Sequence, residues 1–115
     1  KYDATVLTNV TPGMPAFDEE LFGPVAPFIR IKDFDEAIKL SNQSSFGLGV
    51  TICTGNPSAV LDRVSEFDEG AVFINELVKS DPRLPFGGIK RSGFGRELSA
   101  AGIMEFVNTK TVYVK

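Results

Sequence analysis

The sequence contains no histidine and only one cysteine, Cys53, among its 115 residues. The lack of histidine excludes Ser-His-Asp and Cys-His catalysis and most zinc sites, so we expect no metal. A single cysteine cannot form an internal disulfide, and it favours a reducing compartment, for which the cytoplasm is the default. No apolar run is long enough to span a membrane. The 12 basic and 15 acidic residues form no basic stripe, which argues against a nucleic-acid partner.

Short β-prone runs alternate with helical patterns along the chain. Strands are predicted over Ala4–Leu7, Ala26–Ile31, Leu48–Cys53, Ala71–Ile74 and Lys110–Lys115. Helices are predicted at Phe17–Leu21, after the N-cap Asp33, from Pro57 to Phe67 and over Arg96–Phe106. The glycine-rich stretch Leu84–Gly95 is predicted to be a loop. Because alternating strands and helices require crossover connections, we predict one continuous α/β architecture with a parallel sheet covered on both faces, in three layers.

Three motifs carry a resemblance. They are Glu19–Val25, Pro85–Glu97, and Glu105-Phe106 followed by Lys110–Val112. In this order and at these separations they resemble the aldehyde dehydrogenase superfamily, and the resemblance extends from Ala4 to Lys115. Within that family, the stretch Val78–Asp81 is most similar to the succinate-semialdehyde dehydrogenases.

The resemblance implies that residues 1–108 are the C-terminal part of an aldehyde dehydrogenase catalytic domain and residues 109–115 an oligomerisation strand. The intact enzyme would oxidise a small aldehyde, with succinate semialdehyde as the leading substrate, using NAD or NADP, and would be a homodimer or homotetramer. In this family the nucleophilic cysteine, the general-base glutamate and the oxyanion asparagine precede the first motif. We therefore expect no catalytic residue here and no activity from the isolated chain. The alternative is a non-catalytic structural or association module derived from such an enzyme.

Two residues of the first motif are candidates for binding the coenzyme. In the family, the position of Glu20 holds the nicotinamide ribose, and a carboxylate can accept hydrogen bonds from both vicinal hydroxyls. The position of Phe22 abuts the nicotinamide, since an aromatic face can pack on the ring. Without the resemblance, Glu19 and Glu20 would form an ordinary solvated turn and Phe22 would be a core residue.

Phe86 and Ser80 are candidates for binding the substrate. In the family, the aromatic residue at the position of Phe86 lines the substrate tunnel, and Gly87 and Gly88 would allow positive φ and close backbone approach. A serine at the position of Ser80 helps to hold the distal carboxylate of succinate semialdehyde. Arg83 is a weaker candidate for the charge partner, because a loop arginine is more often solvated. The plain alternative for Phe86 is a turn with a hydrophobic contact.

Two further features are interpreted as structural. Cys53 lies in an apolar strand without a nearby activating cation, so we expect a core residue and not a nucleophile. Ser92–Glu97 contains Gly-x-Gly but lacks the third glycine of a dinucleotide fingerprint. We expect it to cap the helix that begins at Arg96.

Overall fold

The computed structural model describes all residues from Lys1 to Lys115. The chain divides into two compact units, Lys1–Ser45 and Phe46–Lys115, which we call the N-terminal unit and the C-terminal unit. Sequence analysis did not predict this division, because no linker or change of composition marks the boundary. Each unit contains one two-stranded sheet.

The N-terminal unit is built around one parallel strand pair and one long helix. Its elements are β1 (Thr5–Leu7), α1 (Pro15–Asp18), β2 (Val25–Pro27) and α2 (Phe34–Gln43). The predicted start of α2 is confirmed, since the Asp33 carboxylate accepts a hydrogen bond from the Glu36 amide at 2.9 Å. Val10 and Ile38 are the buried apolar side chains of this unit.

The C-terminal unit repeats the strand–helix–strand arrangement. Its elements are β3 (Val50–Ile52), α3 (Pro57–Leu61), β4 (Val72–Ile74) and α4 (Ser99–Met104), with 3₁₀ turns at Val64–Glu66 and Lys90–Ser92. Asn56 caps α3 as predicted, because its side chain accepts a hydrogen bond from the Ala59 amide. Val60 and Phe67 are its buried apolar side chains.

The predicted α/β class with parallel strands is confirmed. β1 pairs with β2, and β3 pairs with β4, both in parallel. A helix lies between the two strands of each pair in the sequence, as a crossover connection requires. The longest helix, α2, has 10 residues, and no helix has the length and hydrophobicity of a membrane span.

Two helices are shorter than predicted. The pattern from Pro57 to Phe67 forms α3 and then a separate 3₁₀ turn, because both kinds of helix place residues three apart on the same side. α4 begins at Ser99 instead of Arg96. The reason is that the amide and carbonyl of Glu97 both bond to Phe86 and are not available to a helix.

The strand predicted over Lys110–Lys115 is not formed. Residues 107–115 have no regular secondary structure, and residues 108–115 make no backbone hydrogen bond within the chain. A strand requires a neighbouring strand to pair with, and none is present here. Val112, Tyr113 and Val114 are 79%, 83% and 84% exposed.

Gly70 is the position where a substitution should disturb the C-terminal unit most clearly. A Cβ atom on Gly70 would overlap the carbonyl oxygen of Gly87, which is backbone and cannot swing away. We predict that Gly70→Ala lowers the free energy of unfolding by about 1–3 kcal/mol, the usual cost of overpacking. Urea denaturation followed by far-UV circular dichroism measures this change.

Gly55→Ala is the matched control for Gly70→Ala. A Cβ atom on Gly55 would meet nothing within 4 Å, and Gly55 does not have a positive φ. We therefore expect its stability to change by less than about 0.5 kcal/mol. Equal stability of the two variants would contradict the close approach of Gly70 and Gly87.

Candidate functional site

Glu20 and Phe22 lie in the N-terminal unit, in the loop between α1 and β2. Both are exposed, and the Phe22 side chain is 92% exposed. The structure therefore does not support the alternative that Phe22 is a core residue of this chain. Its backbone φ is +45°, a left-handed conformation that is rare for a bulky residue and costs about 1–2 kcal/mol.

The surroundings of Glu20 and Phe22 leave both side chains free to bind a ligand. The Glu20 carboxylate makes no hydrogen bond or ion pair within the chain, so its oxygens can accept hydrogen bonds from sugar hydroxyls. Phe22 lines an open cleft of about 410 Å³ with Tyr2, Leu21 and Gly23–Val25. Glu20 itself is not among the lining residues of this cleft.

Ser80 lies in the C-terminal unit, in the loop that follows β4. Its hydroxyl is exposed and makes no hydrogen bond within the chain. The flanking residues Lys79 and Asp81 line a cleft of about 500 Å³, together with β4, Glu76 and Leu84–Phe86. Ser80 itself is not among the lining residues of this cleft.

The charged side chains around Ser80 are paired with one another. Two nitrogens of the Arg83 guanidinium donate to the Asp81 carboxylate, at 2.9 and 2.6 Å, and the Arg83 amide donates to the same group at 2.9 Å. These hydrogen bonds hold the pKa of the Asp81 carboxyl well below its usual range. Lys79 lies 2.9 Å from the Glu76 carboxylate. Arg83 is therefore already engaged, which makes it a poor partner for a substrate carboxylate.

Phe86 is held by its backbone. Its amide and carbonyl bond to the carbonyl and amide of Glu97 at 2.9 and 2.8 Å. Its side chain is partly buried and borders both the 500 Å³ cleft and a second cleft of about 410 Å³, which Arg96 and Phe106 also line. Phe86 thus separates two clefts, a placement in which its ring can contact a ligand.

The glycines after Phe86 provide close approach but not positive φ. The φ angles of Gly87 and Gly88 are not positive, so that part of the prediction is wrong. A Cβ atom on Gly87 would lie 2.6 Å from the Gly95 carbonyl oxygen, and one on Gly88 would lie 2.7 Å from the Ser92 Cβ. Gly87 therefore lets backbone pack against backbone, and Gly88 leaves room for Ser92.

Cys53 differs from its prediction as a core residue, because its thiol is exposed. It directly follows β3, and since strand side chains point out of the sheet plane, burial requires an element packed on that face, which the exposed thiol lacks. The thiol makes no hydrogen bond or ion pair within the chain. No group of three or more histidine, cysteine, aspartate or glutamate side chains could hold a metal ion.

Sequence reasoning missed two side chains that hold loops of the C-terminal unit. The Asn75 amide exchanges two hydrogen bonds with the backbone of Thr54, and the Arg96 guanidinium donates to the carbonyls of Gly88 and Gly95 at 3.0 and 2.6 Å. An asparagine directly after a strand is a usable sign, since it tolerates left-handed backbone and bonds to nearby peptide groups. Nothing local to Arg96 predicts its hydrogen bond to Gly88.

Comparison with known proteins gives a consistent family assignment. The sequence model described as the aldehyde dehydrogenase family matches residues 1–112. Over 113 residues the chain is 52% identical to a protein of Synechocystis sp. named probable succinate-semialdehyde dehydrogenase (NADP+). Over 112 residues it is 50% identical to the succinate semialdehyde dehydrogenase (NAD(P)+) Sad of Escherichia coli K12.

These relatives are much longer than the chain. The matches cover 98% and 97% of this chain but 25% and 24% of the two relatives, so the chain spans about a quarter of their length. The crystal structure of succinic semialdehyde dehydrogenase from Streptococcus pyogenes with NADP+ superimposes with a TM-score of 0.87 and 39% identity. That match covers 95% of this chain and 24% of the solved chain. Because the family model matches all but the last three residues, the chain belongs to the aldehyde dehydrogenase family.

Proposed function

We propose that this chain is the C-terminal segment of an NAD(P)-dependent aldehyde dehydrogenase that oxidises succinate semialdehyde to succinate. The observation that carries the proposal is the 52% and 50% identity, over almost the whole chain, to relatives named for that substrate. The name of one relative includes NADP+ and that of the other NAD(P)+, so we propose NAD or NADP as the coenzyme. With one cysteine and no disulfide, the proposed location is the reducing cytoplasm.

On the coenzyme side, Glu20 and Phe22 carry the proposed role. The unpaired Glu20 carboxylate accepts hydrogen bonds from the two ribose hydroxyls, which fixes the sugar. The exposed ring of Phe22 packs beside the nicotinamide. When bound, the nicotinamide coenzyme supplies the hydride acceptor of the oxidation.

On the substrate side, Phe86 and Ser80 carry the proposed role. The Phe86 ring provides an apolar wall for the aliphatic part of the substrate, and the Ser80 hydroxyl donates one hydrogen bond to the distal carboxylate. Lys79 and Arg83 are each already paired with an acidic group. The positive charge opposite the substrate carboxylate therefore comes from another part of the polypeptide.

The substrate proposal is tested with the whole dehydrogenase polypeptide by following NAD(P)H absorbance. Succinate semialdehyde should be oxidised with a much higher kcat/KM than butanal, which has the same carbon chain without the carboxylate. Ser80→Ala should lower kcat/KM for succinate semialdehyde about tenfold or more, because it removes a hydrogen bond to a charged group. Its kcat/KM for butanal should stay unchanged.

Ser65→Ala is the control, since Ser65 is exposed in a 3₁₀ turn and makes no hydrogen bond within the chain. The Ser65→Ala variant should have the same kcat/KM as the wild type for both aldehydes. The isolated 115-residue chain, assayed in parallel, should show no turnover. A wild-type enzyme that does not prefer succinate semialdehyde over butanal would refute the proposed substrate.

The coenzyme role is tested at Glu20 with its neighbour Glu19 as control. Glu20→Gln keeps the shape of the side chain but removes the charge that strengthens hydrogen bonds to the ribose. We expect the KM for the coenzyme to rise about tenfold, with the KM for the aldehyde changed little. Glu19→Gln, which removes the same charge one residue away, should change neither constant. If Glu19→Gln had the larger effect, the assignment of these two residues would be wrong.

We propose that residues 109–115 pair with a strand of another copy of the enzyme in a homo-oligomer. The high exposure of Val112–Val114 and the absence of backbone hydrogen bonds beyond Val107 support this role. Val112→Pro removes an amide from the strand ladder and should shift the enzyme to a smaller species in sedimentation velocity. Val112→Ala, which keeps the amide, should sediment like the wild type. An unchanged species for Val112→Pro would contradict the pairing.

A further inference from the structure

Asn75 fastens the loop that carries Ser80 to the end of β3. Its side-chain oxygen accepts a hydrogen bond from the Thr54 amide at 2.8 Å, and its side-chain nitrogen donates to the Thr54 carbonyl at 2.9 Å. Its own amide donates to the Ile52 carbonyl at 2.9 Å. The side chain thus pairs with Thr54 as a neighbouring strand would, just past the last paired residues of the sheet.

The backbone next to Asn75 is held as well. The Thr51 hydroxyl donates to the Glu76 carbonyl at 3.0 Å, and the Leu77 amide donates to the Glu76 carboxylate at 3.0 Å. Asn75 has a φ of +55°, so the chain turns sharply as it leaves β4. The direction in which the loop departs is therefore set by Asn75 and its contacts with β3.

The far end of the same loop is also fixed. The Asp81–Arg83 ion pair lies in a turn that is closed by the Leu84 amide, which donates to the Asp81 carbonyl at 2.9 Å. Further along, the backbone of Phe86 makes two hydrogen bonds to the backbone of Glu97. Ser80 lies between these two fixed ends and makes no hydrogen bond of its own within the chain. Its position depends on where the ends are held.

We propose that Asn75 is a positioning residue for substrate selection, which places the Ser80 hydroxyl by anchoring the start of its loop to Thr54. This inference rests on the proposed function, since Ser80 is the group whose placement matters. Asparagine suits the position because it adopts left-handed backbone readily and carries one acceptor and one donor on the same amide. Alanine lacks both properties, whereas glycine supplies only the backbone conformation.

The test compares Asn75 variants of the whole dehydrogenase with succinate semialdehyde and with butanal. Asn75→Ala and Asn75→Gly should each lower kcat/KM for succinate semialdehyde about tenfold, through a higher KM, because two hydrogen bonds are lost in both. The kcat with butanal and the KM for the coenzyme should stay within about twofold of wild type. Thr51→Val removes only the hydrogen bond to Glu76 and should lower kcat/KM for succinate semialdehyde by a smaller factor. This variant replaces the Asn75 variants in the test if they do not fold.

Asn9 provides the matched control for backbone conformation. It also has a left-handed backbone, with φ of +58°, but its side chain makes no hydrogen bond within the chain. Asn9→Ala should leave the ratio of kcat/KM values for the two aldehydes unchanged. Recovery of wild-type selectivity by Asn75→Gly would overturn the proposal, because the conformation alone would then suffice.

Hydrogen exchange separates failure of this inference from failure of the proposed function. Amides of residues 76–81 should exchange faster in Asn75→Ala than in the wild type, whichever aldehyde the enzyme prefers. Faster exchange in an enzyme without preference for succinate semialdehyde would support the anchor and refute the substrate. Unchanged exchange, or equal losses of activity with both aldehydes, would overturn the role of Asn75.

Discussion

The backbone of Gly87 lies directly against Gly70, just before β4, with no side chain between them. The loop that carries Ser80 leaves the other end of the same strand at Asn75. A three-residue strand is only about 10 Å long, so the loop begins and returns within a short distance. The contact between Gly87 and Gly70 fixes where the chain returns to the start of β4. The positions of both Phe86 and Ser80 therefore depend on this contact.

The elements that sequence predicted correctly are those decided by neighbouring residues. Asp33 and Asn56 cap their helices because a short side-chain oxygen reaches the amide three residues later. The parallel pairing also follows from local patterns, since two strands that are connected through a helix usually pair in parallel. The approach of Gly87 was expected from the pair of adjacent glycines, although the expected positive φ was wrong.

The elements that sequence missed are decided by distant partners. The start of α4 is delayed because Glu97 bonds to Phe86, eleven positions away, and no local pattern shows that contact. The exposure of Cys53 depends on which elements pack over the end of β3, which no local pattern shows. The segment after Val107 has strand-like alternation but no strand to pair with in this chain. For the site, sequence identified the candidate groups, whereas the anchor at Asn75 required coordinates.

The charges around Ser80 limit what this chain can contribute to binding an anion. Glu76, Lys79, Asp81 and Arg83 carry two negative and two positive charges in two close pairs, so their fields largely cancel at a distance. Each cation already lies against a carboxylate, which weakens its attraction for a further anion. The hydroxyl of Ser80 has no such competitor, and a hydrogen bond is directional where a charge is not. In the site that we propose, Ser80 therefore orients the substrate carboxylate, and cations outside this loop supply the net attraction.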